Sequence, residues 1–234
     1  MKSYKRRFRD WIERRLGISI FRSSGLPHGV SVTRDLRKLG ITPKVVFDVG
    51  AHVGLKTIEY DNAWPDARVF SFEPIDSTFD RLKKNTKSKK VNIYNFGFGS
   101  RKKKTKISLH ERSNLNSLAV NKERGYGSEE IRIKKIDNFC DEENIGKIDF
   151  LKIDTEGYGM NVIKGGKNMI ENGKIESILV EVGFEENKSR HIEINNMRKF
   201  LEEKGMELCG LYNQAVNCKE RKFRFADALF IRRL

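Results

Sequence analysis

Three acids stand at the ends of apolar runs, where a carboxylate can act on something bound outside the fold. Asp48 closes Val45-Val46-Phe47-Asp48 and leads through Val49 into Gly50-Ala51-His52-Val53-Gly54. Glu73 ends Val69-Phe70-Ser71-Phe72 and precedes Pro74; Asp154 ends Ile148-Asp149-Phe150-Leu151-Lys152-Ile153 and leads into Thr155-Glu156-Gly157. Carboxylates in such places attract cations and accept hydrogen bonds from hydroxyls.

The glycine spacing excludes two phosphate-binding loops. A dinucleotide fingerprint needs glycine where this chain has His52 and Leu55, and no Gly-Lys-Ser/Thr follows as a P-loop requires. Asp48 would also oppose a phosphate in a partly dry crevice, whereas it suits a cation. Glu73 lies 23 residues after Gly50, near the interval at which doubly wound folds present an acid to the ribose hydroxyls of a nucleoside. A phosphate-free nucleoside that carries a sulfonium and an amino group meets both conditions, and S-adenosylmethionine is that molecule.

These residues need strands to hold them. Val45 to Val49 is β-branched and aromatic, as a strand buried on both faces is; with the glycine turn and a helix from Lys56 to Trp64, stopped by Pro65, it opens a doubly wound α/β sheet. Ligands of that fold sit beyond the carboxyl ends of the strands. Further strands are expected over 69–72, 91–96, 148–153 and 177–182, the last carrying Glu181 near its end. Asn95, Phe96 and Gly97 stand where they could border a flat base, the alternative being that the aromatic ring belongs to the core. Helices are expected over 77–87 (capped by Asp76 or Ser77, with Phe79 and Leu82 inward), 161–172 and 190–204, with a short one over 32–39. Antiparallel pairs are expected for 102–109 with 130–136 and for 206–212 with 226–232. The loop from His110 to Ser128 offers Ser113, Asn114, Asn116 and Ser117 to a polyhydroxyl acceptor.

At 234 residues, the chain fits one domain (43–234) with a basic N-terminal helical extension (1–42). No apolar run reaches membrane-spanning length and the N-terminus lacks the apolar core of a signal peptide, so a cytoplasmic protein is expected. Cys140, Cys209 and Cys218 form no C-x-x-C pair and are expected to be idle thiols. The net charge of +15 is uneven: residues 1–40 hold eleven Lys/Arg against three acids, and residues 83–106 ten against none, so two patches face any anionic partner. Met1 to Leu16 sets Tyr4, Phe8, Trp11, Ile12 and Leu16 on one face of a basic helix. That stripe is expected to dock on the domain, the alternative being an anionic membrane surface or another polyanion.

With these residues assembled, the chain resembles the FkbM family of S-adenosylmethionine-dependent methyltransferases over residues 43 to 233. The matching pieces are 47–54, Phe72-Glu73-Pro74, 148–157, Val162-Ile163-Lys164-Gly165-Gly166 and Asp227-Ala228-Leu229-Phe230-Ile231. The resemblance implies a mostly parallel Rossmann-like sheet with an antiparallel C-terminal strand, and O-methylation of a sugar, glycan or secondary metabolite. The family usually has Asn at position 52 and an acid at 159, where this chain has His52 and Gly159. We expect Asp48, Gly50, Ala51, His52 and Gly54 to hold the methionine end of the cofactor, Glu73 the ribose, and Asp154 to border both cofactor and acceptor. Asp154 is the expected general base, with Glu156 and Glu181 as rivals; no metal ligand set is expected. Two other readings use the same residues: an RNA methyltransferase exploiting the basic patches, and a non-catalytic module binding nucleosides or membranes.

Overall fold

The computed structural model describes residues 2–16, 26–87, 89–109, 127–185 and 191–233. His110 and the loop polar groups Ser113, Asn114, Asn116 and Ser117 lie outside them. The elements in chain order are α1 (Lys2–Leu16), α2 (Val32–Lys38), β1 (Val45–Val49), α3 (Leu55–Ala63), β2 (Arg68–Phe72), α4 (Asp76–Asn85), β3 (Val91–Tyr94), β4 (Gly97–Phe98), β5 (Lys103–Ser108) and β6 (Ser128–Lys134). They continue with α5 (Ile136–Glu142), β7 (Phe150–Ile153), α6 (Gly159–Gly165), α7 (Lys167–Glu171), β8 (Ser177–Gly183), β9 (Ile192–Glu193), α8 (Ile194–Glu202), β10 (Met206–Asn217) and β11 (Lys222–Arg232). No described helix is long and apolar enough to cross a membrane.

The main sheet runs β10-β11-β8-β7-β1-β2-β3, with β9 on β8. β1 is buried throughout and pairs in parallel with β2 and β7. β11 alone in that path runs against its neighbours, β8 and β10. The chain leaves β1 for β2 and β3 on one side and returns to β7 on the other, so the connections that follow β1 and β7 diverge and leave a crevice beyond their ends.

Alternation along β1 splits the core. Phe47 joins Phe70, Phe72, Tyr94, Phe96, Phe98 and Phe139 on one face, with rings as close as 4.5 Å for Phe72 and Phe98. Val46 meets Tyr60, Trp64 and Phe150 on the other. Asp48, two residues on from Val46, shares that second face. A small sheet, β4-β6-β5, presents Ile107, Ile131 and Ile133 to Ile75.

Several boundaries differ from those expected. α4 is capped by neither Asp76 nor Ser77: the amide of Asp76 donates to Glu129 (2.7 Å) and that of Ile75 to Glu73 (3.1 Å). β3 stops at Tyr94 and the chain crosses to the small sheet. The helix over 161–172 is broken at Gly166 into α6 and α7. Gly165 packs so closely that a Cβ would stand 2.2 Å from the Gly99 carbonyl oxygen, and Asp137 of α5, a helix not anticipated, caps α7 through the amides of Asn168 and Met169. α8 starts late because Ile192 and Glu193 pair with β8.

The proposed extension, 1–42, also divides. Val32 and Leu36 are buried against Tyr60, Trp64 and Phe150, and buried Asp35 accepts from the Gly29 amide (2.8 Å) and the Tyr212 hydroxyl (3.1 Å). α2 therefore belongs to the packed body. In α1 the stripe expected to dock is left open at Phe8, Trp11 and Leu16, which are 64, 54 and 62% exposed, while Ile12 is half-buried.

Candidate functional site

The crevice is built at the tips of β1 and β7. Gly50 has φ +77, and a Cβ there would fall 1.8 Å from the Asp154 carbonyl oxygen, so only glycine lets the two tips pass. The amides of Gly50 and Ala51 both donate to the Phe72 carbonyl at 3.0 Å, tying the turn to β2. His52 (φ 50) and Glu156 (φ 48) hold left-handed backbone that β-carbon residues rarely adopt. Both line the cleft, and strained residues of this kind gather at functional sites.

Beneath the tips lies a charge cluster organised by Lys152, a buried lysine inside an apolar strand. Its Nζ lies 3.1 Å from Asp48 Oδ1, 3.4 Å from Asp154 Oδ2 and 3.2 Å from the Gly50 carbonyl oxygen. Burial by itself would pull this ammonium down, but Asp48 and Asp154 outweigh it and hold the lysine above its usual range. Asp48 is wholly buried; its Oδ2 accepts from the Thr57 hydroxyl at 2.7 Å. Thus Asp48 fixes Lys152, and Lys152 fixes the glycine turn.

Glu73 approaches from β2. Its Oε2 accepts from the His52 amide (3.0 Å) and its Oε1 from the Ile75 amide (3.1 Å). Burial nonetheless pushes its carboxyl up to about 7. His52 is held below 6.5, first by burial and then by Arg81. On the far side, registers Ile153 with Val180 and Glu181 with Asp227 set Asp154, Glu181 and Asp227 on neighbouring strands. Burial raises Asp227, with Asp154 and Glu181 adding to it while Asn213 opposes through a 2.6 Å hydrogen bond. Glu181 Oε2 meets His191 Nδ1 at 3.1 Å.

The cleft is lined by Val49, Gly50, His52, Glu73, Asp154, Thr155, Glu156 and Tyr158, and closed on one side by an apolar wall that includes Pro74, Ile75, Ile107, Ile131 and Ile133. Its described lining holds three carboxylates and no Lys or Arg. That donor set fits a flat base against the wall, a diol at Glu73 and a cationic group, and it is wrong for phosphates. The residues present therefore suit S-adenosylmethionine.

Of the expected site residues, Gly50, His52, Glu73, Gly97, Asp154 and Glu156 line this cleft. Asp48 reaches it only through Lys152. Ala51 is buried in the turn, and Gly54 opens α3 against Leu82. Asn95 and Phe96 are not on the wall: Asn95 donates to the Glu73 and Pro74 carbonyls at 3.4 Å, and Phe96 packs among the aromatic core. Glu181 stands one strand further out, paired with His191. Lys152, Tyr158, His191 and Asp227 were not anticipated. A lysine within an apolar run was the available signal for Lys152, and the matching piece that opens at Asp227 was one for that acid; Tyr158 and His191 carried none. Among the described residues, no three His, Cys, Asp or Glu are disposed to hold a metal ion.

Comparison with known proteins follows the same lines. A hexuronic acid methyltransferase of Haloferax volcanii, AglP, is 28% identical over 138 residues, 59% of this chain and 55% of that protein, so the chain spans about half the length of this curated relative. Among solved structures, a Clostridium thermocellum protein described as a candidate rRNA methylase superposes with a TM-score of 0.50 at 12% identity, covering 88% of this chain and 97% of that one. Likeness at that identity speaks to the fold, which is that of class I methyltransferases. The model of the methyltransferase FkbM domain matches residues 48–208, more than half of the chain and every described residue lining the cleft, and on that match the protein belongs to the FkbM family of S-adenosylmethionine-dependent methyltransferases.

Proposed function

We propose that this enzyme methylates a hydroxyl of a sugar, glycan or related secondary metabolite. The carrying observation is the row of carboxylates across neighbouring strands, Asp154 just past the end of β7, Glu181 on β8 and Asp227 within β11. Such a row accepts hydrogen bonds from a polyol and opposes the closely spaced phosphates of a nucleic acid. The likeness to a hexuronic acid methyltransferase supports a sugar acceptor. The same row weighs against the RNA reading, because a nucleic acid backbone would have to approach it.

When bound, S-adenosylmethionine supplies a methyl group already activated on a sulfonium. The protein then has two tasks, alignment and removal of the hydroxyl proton. Glu73 accepts the ribose hydroxyls, while Gly50 and His52 shape the turn beside it. Asp154, at the open end of the Lys152 cluster with its side chain 43% exposed, orients the acceptor hydroxyl and takes its proton. Glu181, steadied by His191, holds a second hydroxyl of the acceptor.

The test is labelled cofactor offered with neutral glycosides, uronic acids and RNA. Label is expected in a glycoside and to survive mild alkali, as an ether does. Alkali-labile label on a uronic acid, or label in RNA, would overturn the hydroxyl assignment.

A further inference from the structure

The methyl-transfer site makes no use of α1. Residues 2–16 carry seven Lys/Arg against Asp10 and Glu13, and Phe8, Trp11 and Leu16 stand 64, 54 and 62% exposed. The Phe8 and Trp11 rings stack at 6.2 Å and 16°. At about 100° per residue, these three and half-buried Ile12 share one arc of a helix roughly 22 Å long, with Asp10 opposite and Arg7 and Arg14 along a flank. Arg15 lies within the arc, in the last turn of the helix, where a long side chain can reach past apolar surroundings to polar ones.

An apolar stripe of this kind calls for a cover, and the charge limits what that cover is. The chain as a whole carries +15, so another copy of it would bring like charge to a cationic helix. The cover must be anionic and must also accept aromatic side chains to some depth. A nucleic acid backbone meets the first condition, whereas an anionic bilayer meets both, since tryptophan and arginine are at home in the headgroup region. We infer that α1 lies in the plane of an anionic lipid surface, with Phe8, Trp11 and Leu16 immersed and Arg7, Arg14 and Arg15 among the headgroups.

The experiment is flotation of the full chain with vesicles of phosphatidylcholine alone and of phosphatidylcholine with about one-third phosphatidylglycerol. Binding is expected to the anionic vesicles only, and to weaken as salt rises from about 0.1 to about 0.5 M and the screening length contracts. The difference in emission between wild type and Trp11→Phe should shift to the blue on binding. Phe8→Ser with Trp11→Ser should weaken binding about tenfold or more, with S-adenosylhomocysteine affinity unchanged as proof of an intact domain. Failure of anionic vesicles to float the protein would overturn the inference, as would undiminished flotation of the double variant. Capture of single-stranded RNA that is lost in the double variant, with vesicles ignored, would reassign the helix to nucleic acid.

Discussion

With Glu73 at the ribose, as proposed, cofactor binding should depend on pH. Burial raises its carboxyl from an ordinary 4.5 to about 7, against the amide hydrogen bonds from Ile75 and His52. A ribose diol donates to the ionised form, so binding draws the proton off and affinity follows the ionised share. With a transition at about 7, that share is about nine-tenths at pH 8 and about one-tenth at pH 6, so affinity for S-adenosylhomocysteine should fall about tenfold, or ~1.4 kcal/mol. Calorimetry in buffers of different ionisation heat reads both quantities: close to one proton released per cofactor near pH 6, and almost none near pH 8. Glu73→Gln should flatten the profile. His52 is lowered from its usual range by burial and then by Arg81, away from the Glu73 transition, so His52→Asn should keep that transition. Stability of the cofactor-free protein runs the other way. For a carboxyl raised on folding, the contribution is complete below 4.5 and is lost as pH rises through about 7, a loss of about 3 kcal/mol. The cofactor's stabilising effect on Tm should therefore grow with pH. Equal affinity at the two ends of the window, or a slope that survives in Glu73→Gln, would refute the reasoning.

Other outcomes test the frame around that carboxylate. Lys152→Met leaves Asp48 and Asp154 without their shared cation, and chemical denaturation should show a loss of about 3–5 kcal/mol; a loss below about 1 kcal/mol would mean that the cluster contributes little. Gly50→Ala places a methyl 1.8 Å from the Asp154 carbonyl oxygen and should abolish S-adenosylhomocysteine binding, whereas Gly146→Ala, with nothing within 4 Å, should bind as wild type. Glu181→Gln should lower kcat about 10- to 100-fold with unchanged S-adenosylhomocysteine affinity if it positions the acceptor, and equal losses in both would place it in the scaffold instead. Cys218 is exposed and should react first with a disulfide reagent, while Cys140, pushed up to about 12 by burial and then by Asp137 and Asp141, should react only on unfolding.

Much of this was legible in the order of residues. Val45 to Val49 declares a strand buried on both faces because β-branching and the absence of alternation leave few other states. Gly50 and the acids at 73 and 154 declare strand tips because each stands where an apolar run gives way to glycine or proline turn residues. What local pattern cannot reveal is which partner a polar group takes. Asp48 looks like a ligand for a cation from outside, yet the cation is Lys152, whose Nζ also caps a carbonyl 102 residues away in the chain. Phe96 looks like a base-stacking ring, yet the turn into the small sheet sends it to the aromatic core and leaves isoleucines on the wall. Composition and periodicity determined the fold class and the kind of molecule the cleft admits. Only sheet register, which sets residues of distant segments at neighbouring strand spacing, decided which carboxylates face the cleft and which are consumed beneath it.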